Sequence, residues 1–294
     1  MSTTAHAYLL AALAAVCWGV VVIPLKLSRI SGRLGIGISL TTGTLVMILL
    51  SGREMTQVFS FRPALWALYA VTGGLQFTLG CMLYYEAVRI GNISVAVPIT
   101  RVKAIPILFL SIALGLATFK WSLLGACILV VLGGILVGLE PNHPNRGEEE
   151  RQTHRLCILL SMISCACWSV GETLIGTLPK EIGAVATNGL LLAAGWLLYA
   201  VYATTSGTWR EFRTVPLRDA LCYVIHGLVS FSGAYVLFVA SVKLVGPPRA
   251  TCITATYPLI SAVVGWLVFK EKLWWNVILG ALLLVGGVIL LQFA

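Results

Sequence analysis

The sequence predicts an all-α integral membrane protein of ten transmembrane helices, arranged as two inverted five-helix repeats. Three observations carry that prediction. Apolar residues make up 59% of the chain and charged residues 11%, with a mean hydropathy of +0.94. A soluble domain carries about 25% charged residues, and so few charges cannot cover a water-facing surface. The apolar runs are continuous and about 20 residues long, the length that about 30 Å of hydrocarbon requires of a helix, and they lack the alternation of barrel strands. Cys-Trp occurs twice, at Cys17-Trp18 and Cys167-Trp168, each time in the first apolar run of its half. A motif recurring once per half-chain reads as an internal duplication.

The runs place spans at 7–27, 34–51, 64–88, 93–118, 121–139, 156–178, 183–205, 219–243, 250–269 and 273–293. No basic stretch precedes the first span and no small-residue cleavage pattern closes it, so it is expected to remain as a membrane anchor. Connections are short. The sizeable polar stretch is Glu140 to Arg155, whose Pro, Gly and charges read as an exposed loop. The expected organisation is therefore a first repeat at 1–140, a linker at 141–155 and a second repeat at 156–294. Ala87-Val88-Arg89-Ile90-Gly91 resembles Ser241-Val242-Lys243-Leu244-Val245-Gly246, and Pro106 in the fourth span falls near Pro258 in the ninth. Leu124-Gly125-Ala126 with Gly133-Gly134 resembles Leu279-Gly280-Ala281 with Gly286-Gly287. An odd number of spans per half turns the second repeat over relative to the first. The glycines of the fifth and tenth spans suit close helix contact, as scaffold or at a dimer seam; the chain is read as a monomer or homodimer.

Net charge is +9. The basic residues lie mostly between the apolar runs, which points to topology and anionic headgroups, not to nucleic acid. If the first residues are cytoplasmic, the outer loops hold the larger share of Lys and Arg. The positive-inside rule prefers the reverse, with both termini outside, and the orientation stays open. The eight cysteines all lie inside apolar runs without redox or zinc spacing. Asp219, at a span end, is the only aspartate. Nothing converges toward catalysis, a metal site or a cofactor.

Ten spans in two five-helix halves, with Trp18-Gly19 early in the first, resemble the drug/metabolite transporter superfamily in its EamA-type branch. The second half carries more of the likeness. It has Ala250-Thr-Cys-Ile-Thr-Ala-Thr-Tyr-Pro-Leu-Ile-Ser261, then Gly265, then Phe269-Lys-Glu-Lys-Leu273, then Gly280 and Gly286-Gly287. The first half departs from the pattern, with Trp121 after Phe119-Lys120 where the second half has Glu271. The resemblance gives Glu271 a structural role at a helix end. Trp18-Gly19 with Pro24-Leu25-Lys26 is also similar to the sugar-transporting branch. The resemblance implies a substrate cavity enclosed by spans one, three, four, six, eight and nine, with five and ten peripheral. It leaves the substrate class open, because one fold hosts many solutes.

Charges inside spans are the strongest candidates for a site. Arg101 lies about nine residues into the fourth span, roughly 13 Å at about 1.5 Å per residue, and Lys103 about 3 Å deeper. A central Arg or Lys costs at least about 2.5–3.5 kcal/mol, so it faces the bundle interior or a wet cavity. Two residues turn a helix by about 200°, so the two cannot address one point: one can bind substrate while the other pairs with a neighbouring helix. Pro98 and Pro106 bracket the segment and free helix carbonyls. Glu172 in the sixth span, one turn beyond Trp168, is the natural partner of Arg101 or Lys103. Such a carboxylate in a low-dielectric cavity favours its protonated form and can exchange protons. The repeat counterparts of these three residues are Ile253, Ala255 and Val22, and polar residues unmatched on a symmetric frame are good site candidates. Glu86 is expected to pair locally with Arg89.

Aromatic residues form a second set: Trp18, Trp168, Tyr84, Tyr85, Tyr235 and Tyr257 offer apolar faces with polar tips. His226 and Gln76 lie within spans and need polar partners; His226 can shuttle protons or sit as a satisfied buried histidine. The candidate substrate-binding set is Trp18, Tyr85, Arg101, Lys103, Trp168, Glu172, Tyr235 and Tyr257, with Glu172 and His226 for proton coupling. The resulting expectation is a multi-pass secondary active transporter of the cell (inner) membrane. It moves a small polar organic metabolite, an amino acid, organic acid or phosphorylated solute, across the lipid bilayer by alternating access. The alternatives are an efflux pump for aromatic or cationic drugs, or a sugar transporter.

Overall fold

The computed structural model describes residues 2–52, 54, 56, 61–90, 96, 99–138, 148–270 and 275–294. Pro98, Glu271 and linker residues 141–147 lie outside these. Among the described residues the chain is helical with no strand. Among the described residues eight helices are long and apolar enough to cross a bilayer: Thr3–Val20, Gly32–Ser51, Pro63–Ile90, Arg151–Ile175, Ala184–Thr205, Leu217–Val245, Pro247–Val268 and Trp275–Phe293. They coincide with spans one, two, three and six to ten. Span five is a shorter apolar helix, Trp121–Val137.

Span four differs from the continuous helix expected at 93–118. Its helix Ala104–Ala113 is preceded by a turn at Val102 and Lys103. The cause is Pro106, which has no N–H for the Val102 carbonyl; Ile105 N–H meets that carbonyl instead at 3.1 Å, in a tighter turn. Span nine breaks at the corresponding place. Its first part, Pro247–Thr254, ends at Ala255 and Thr256, and Pro258 opens the second part, Tyr257–Phe269.

Spans three and eight each contain a π-helical stretch, Gly74–Leu79 and Gly227–Ala234. Span two packs against the π stretch of span eight, and span seven against that of span three. Span one packs on spans eight and nine; span six packs on spans three and four. The buried face of span one is built of Ala7, Ala11, Ala14 and Ala15, small residues that let neighbouring backbones approach.

Spans five and ten pack against each other at the side of the bundle. A Cβ on Gly133 would meet the Gly280 carbonyl at 2.7 Å, and one on Gly280 would meet the Gly133 carbonyl at 2.6 Å. The glycine faces considered for a dimer seam are thus used within the chain, each closing on the other.

The termini share one face with the turns after spans two, four, six and eight: the Tyr8 hydroxyl donates to Leu291 O, Ser122 to Phe293 O and Arg249 to Ala294 O. The opposite face joins the turn after span one to that after span seven, through an Arg33–Glu211 ion pair at 2.7 Å and an Arg29 N–H bond to Asp219.

Candidate functional site

The two broken spans meet at the centre of the bundle. Arg101 lies just before the break in span four and is 1% exposed. Its guanidinium carbon stands 4.0 Å from the ring centroid of Tyr257, just after the break in span nine. The same guanidinium donates to the Tyr257 hydroxyl and, at 2.8 Å, to Thr100 Oγ1. Gly134 of span five makes room for it: a Cβ there would sit 2.8 Å from Arg101 Cγ.

Lys103 points elsewhere, as the helical rotation between the two residues requires. Its ammonium closes an ion pair with Glu172 Oε1, and both side chains are sealed from solvent. The second oxygen, Oε2, accepts from Thr251 Oγ1 at 3.0 Å. One carboxylate on span six therefore ties span four to span nine. Lys103 Nζ also stands 5.2 Å from the centroid of Trp168, a cation–π distance.

Aromatic side chains continue from these charges. Trp18 packs edge-on to Tyr235 at 5.0 Å between centroids, and against Phe238 and Tyr257 at 5.6 and 6.3 Å. Trp168 packs on Tyr84 at 5.2 Å. The π stretch of span three joins the two groups. Gln76 Nε2 donates to the Tyr235 hydroxyl at 2.7 Å, and the Gln76 carbonyl accepts from Trp168 Nε1 at 2.9 Å. Arg101, Lys103, Trp168, Glu172, Trp18, Tyr235 and Tyr257 thus form one connected set drawn from spans one, four, six, eight and nine.

Tyr85 and His226 belong to a second set between spans two, three and eight. The Ser39 hydroxyl donates to the Tyr223 carbonyl at 2.9 Å, so its oxygen can only accept from His226 Nδ1, 2.9 Å away. That makes Nδ1 the protonated nitrogen and leaves Nε2 to accept from the Tyr85 hydroxyl at 2.6 Å. His226 is 3% exposed and has a hydrogen-bond partner at both ring nitrogens. Glu86 pairs with Arg89 on its own helix. Cys127 and Cys252 lie with sulfurs 3.4 Å apart as free thiols. Among the described residues no group of His, Cys, Asp and Glu is placed to hold a metal.

Several participants, Thr100 among them, were absent from the candidate set. Thr251 carries no sequence signal beyond its place in the motif Ala250 to Ser261. Gln76 showed only as a polar residue in an apolar run. The π stretches have a faint signature in the glycines at 73, 74 and 80 and at 227 and 233, which fit bundle packing equally well.

No curated protein matches the chain. A crystal structure described only as that of a protein superposes with a TM-score of 0.74, covering 98% of this chain and 96% of its own, at 14% sequence identity. At that identity the likeness speaks for the fold alone. Residues 155–293 match the EamA-like transporter family. They contain Trp168, Glu172, the π stretch of span eight and the broken ninth span. This second half is thus similar to the EamA-like transporters, a family of the drug/metabolite transporter superfamily.

Proposed function

We propose that this multi-pass membrane transporter is a secondary carrier for a small organic anion or zwitterion, such as an amino acid, an organic acid or a phosphorylated solute. The observation that carries the reading is the guanidinium of Arg101, buried between two broken spans and stacked on Tyr257. Interrupted helices at corresponding positions of two halves are where secondary transporters hold their solutes. An arginine fork is suited to carboxylate and phosphate oxygens. Lys103 is matched by Glu172, which favours the ion pair as a connector of spans.

Alternating access of two inverted repeats, 1–140 and 156–294 around the linker 141–155, is part of the proposal. The packing pairs support it. Exchanging the halves turns span two on span eight into span seven on span three, and span one on span nine into span six on span four. Glu172 is the proposed proton acceptor: a proton on it would release Lys103 and Thr251 together. His226 is the weaker candidate, because both ring nitrogens are engaged. The inner cell membrane is the proposed location.

Efflux of cationic or aromatic drugs would use the aromatic residues and Glu172. It is less favoured because both carboxylate oxygens are occupied. A thermal-shift screen of purified protein against anionic, zwitterionic, sugar and cationic solutes tests the assignment. Stabilisation by carboxylates or phosphates supports it, whereas stabilisation by cations or neutral sugars alone replaces it with the corresponding alternative.

A further inference from the structure

Lys243, at the end of span eight, is not part of the central set. Its ammonium reaches the turn between spans six and seven and donates to Pro179 O at 2.6 Å and Ile182 O at 2.7 Å. Glu54 holds the same turn from the other side, its Oε2 accepting from Gly183 N–H at 3.1 Å. Pro247, at the start of span nine, fills the space over Gly176, where a Cβ would meet it at 2.6 Å. The turns after spans two, six and eight are thus fastened together on the face that carries the termini.

The repeat alignment puts Arg89 where Lys243 stands. It puts Arg29-Ile30-Ser31-Gly32 where Lys180-Glu181-Ile182-Gly183 stands, so the first-half turn equivalent to Pro179–Ile182 is about residues 28–31. On that opposite face Arg29 and Arg33 bond Asp219 and Glu211, but the counterpart of the Lys243 contact is not made. Arg89 is turned to Glu86 on its own helix, with its side chain 55% exposed. Ser31 Oγ is buried with no hydrogen-bond partner among the described residues. The gap is short: a Cβ on Gly32 would touch Tyr85 at 2.6 Å, and Tyr85 lies one helical turn before Arg89.

We propose that Lys243 and Arg89 are alternating latches, each fastening the first turn of its own repeat in one of two states. In the state described here the Lys243 latch is closed and the Arg89 latch is open. In the opposite state Arg89 donates to the carbonyls of residues 28–31, and Lys243 is released. Cationic donors suit the task because a charged group binds exposed carbonyls more strongly than a neutral one and regains hydration when it lets go. The inference rests on the alternating-access reading and adds the groups that hold each state.

Hydrogen exchange read by mass spectrometry in lipid nanodiscs tests it on the full chain without knowledge of the solute. Lys243→Met is expected to speed exchange in residues 177–183 by at least about tenfold and to slow it in residues 28–33, the reciprocal signature of a population shift. Arg89→Met is expected to slow exchange in residues 177–183. Lys243→Arg, which keeps the charge and supplies the residue found at the counterpart, is expected to stay near wild type. Faster exchange at 177–183 with no slowing at 28–33 reduces Lys243 to a local brace and overturns the latch. If Arg89→Met moves the two faces in opposite directions while Lys243→Met does not, the latch fails and alternating access stands. If no variant moves them oppositely, both fail.

Discussion

Glu172 receives Lys103 on one oxygen and Thr251 on the other, so a single carboxylate on span six connects the two spans that break. Removing either charge strands the other inside the bundle. Glu172→Gln or Lys103→Met alone is expected to lower stability by about 3–5 kcal/mol, because an uncompensated buried charge remains. The double variant is expected to be milder than the sum of the singles. Thermal unfolding of the three variants in one detergent checks this, and strict additivity would show that the pair is not coupled.

Arg101→Gln is expected to weaken binding of a carboxylate or phosphate solute by about 2–5 kcal/mol, with the helical circular-dichroism signal unchanged. Arg101→Lys keeps the charge and loses the fork, so it should fall between wild type and Arg101→Gln. Titration calorimetry with whichever anion the thermal screen returns reads both. Equal affinity in all three proteins would remove Arg101 from the site.

The hydroxyl of Ser39 fixes the tautomer of His226 from outside the ring. Nitrogen-15 NMR of histidine-labelled protein is expected to report His226 as neutral with the proton on Nδ1. Tyr85→Phe leaves Nε2 buried without a donor, and a loss of about 1–3 kcal/mol in stability is expected. An Nε2-protonated ring in the wild type would contradict the hydrogen-bond direction.

Gly133 and Gly280 lie carbonyl against Cα where spans five and ten touch. Gly280→Val must push the two backbones apart. A cost of about 1–3 kcal/mol is expected, as for other overpacked contacts, read as a lower unfolding temperature. Gly286→Val is the control, since a Cβ at Gly286 meets its nearest neighbour at an ordinary 4.0 Å.

The spans were legible because hydrocarbon imposes one length and one composition on whatever crosses it. The pairing of Glu172 with Lys103 was legible because a charge at that depth must find a partner. Arg101 and Lys103 diverge as simple helical rotation requires. The break in span four was only half legible: Pro106 announced a kink, but its position depends on which carbonyl Ile105 takes instead. The π stretches were not legible, since they arise from how the backbone settles against spans two and seven, and their glycines serve packing as well. Thr251 was missed because a threonine in an apolar run usually bonds its own helix. The seam between spans five and ten was read correctly as close-packed, but the sequence could not say that its two sides belong to one chain.

The widened turns in spans three and eight alter how substitutions there will read. Gln76, Phe77 and Thr78 are all buried, as are Ser230, Phe231 and Ser232. A saturation scan should therefore register both triplets as unbroken blocks of intolerance.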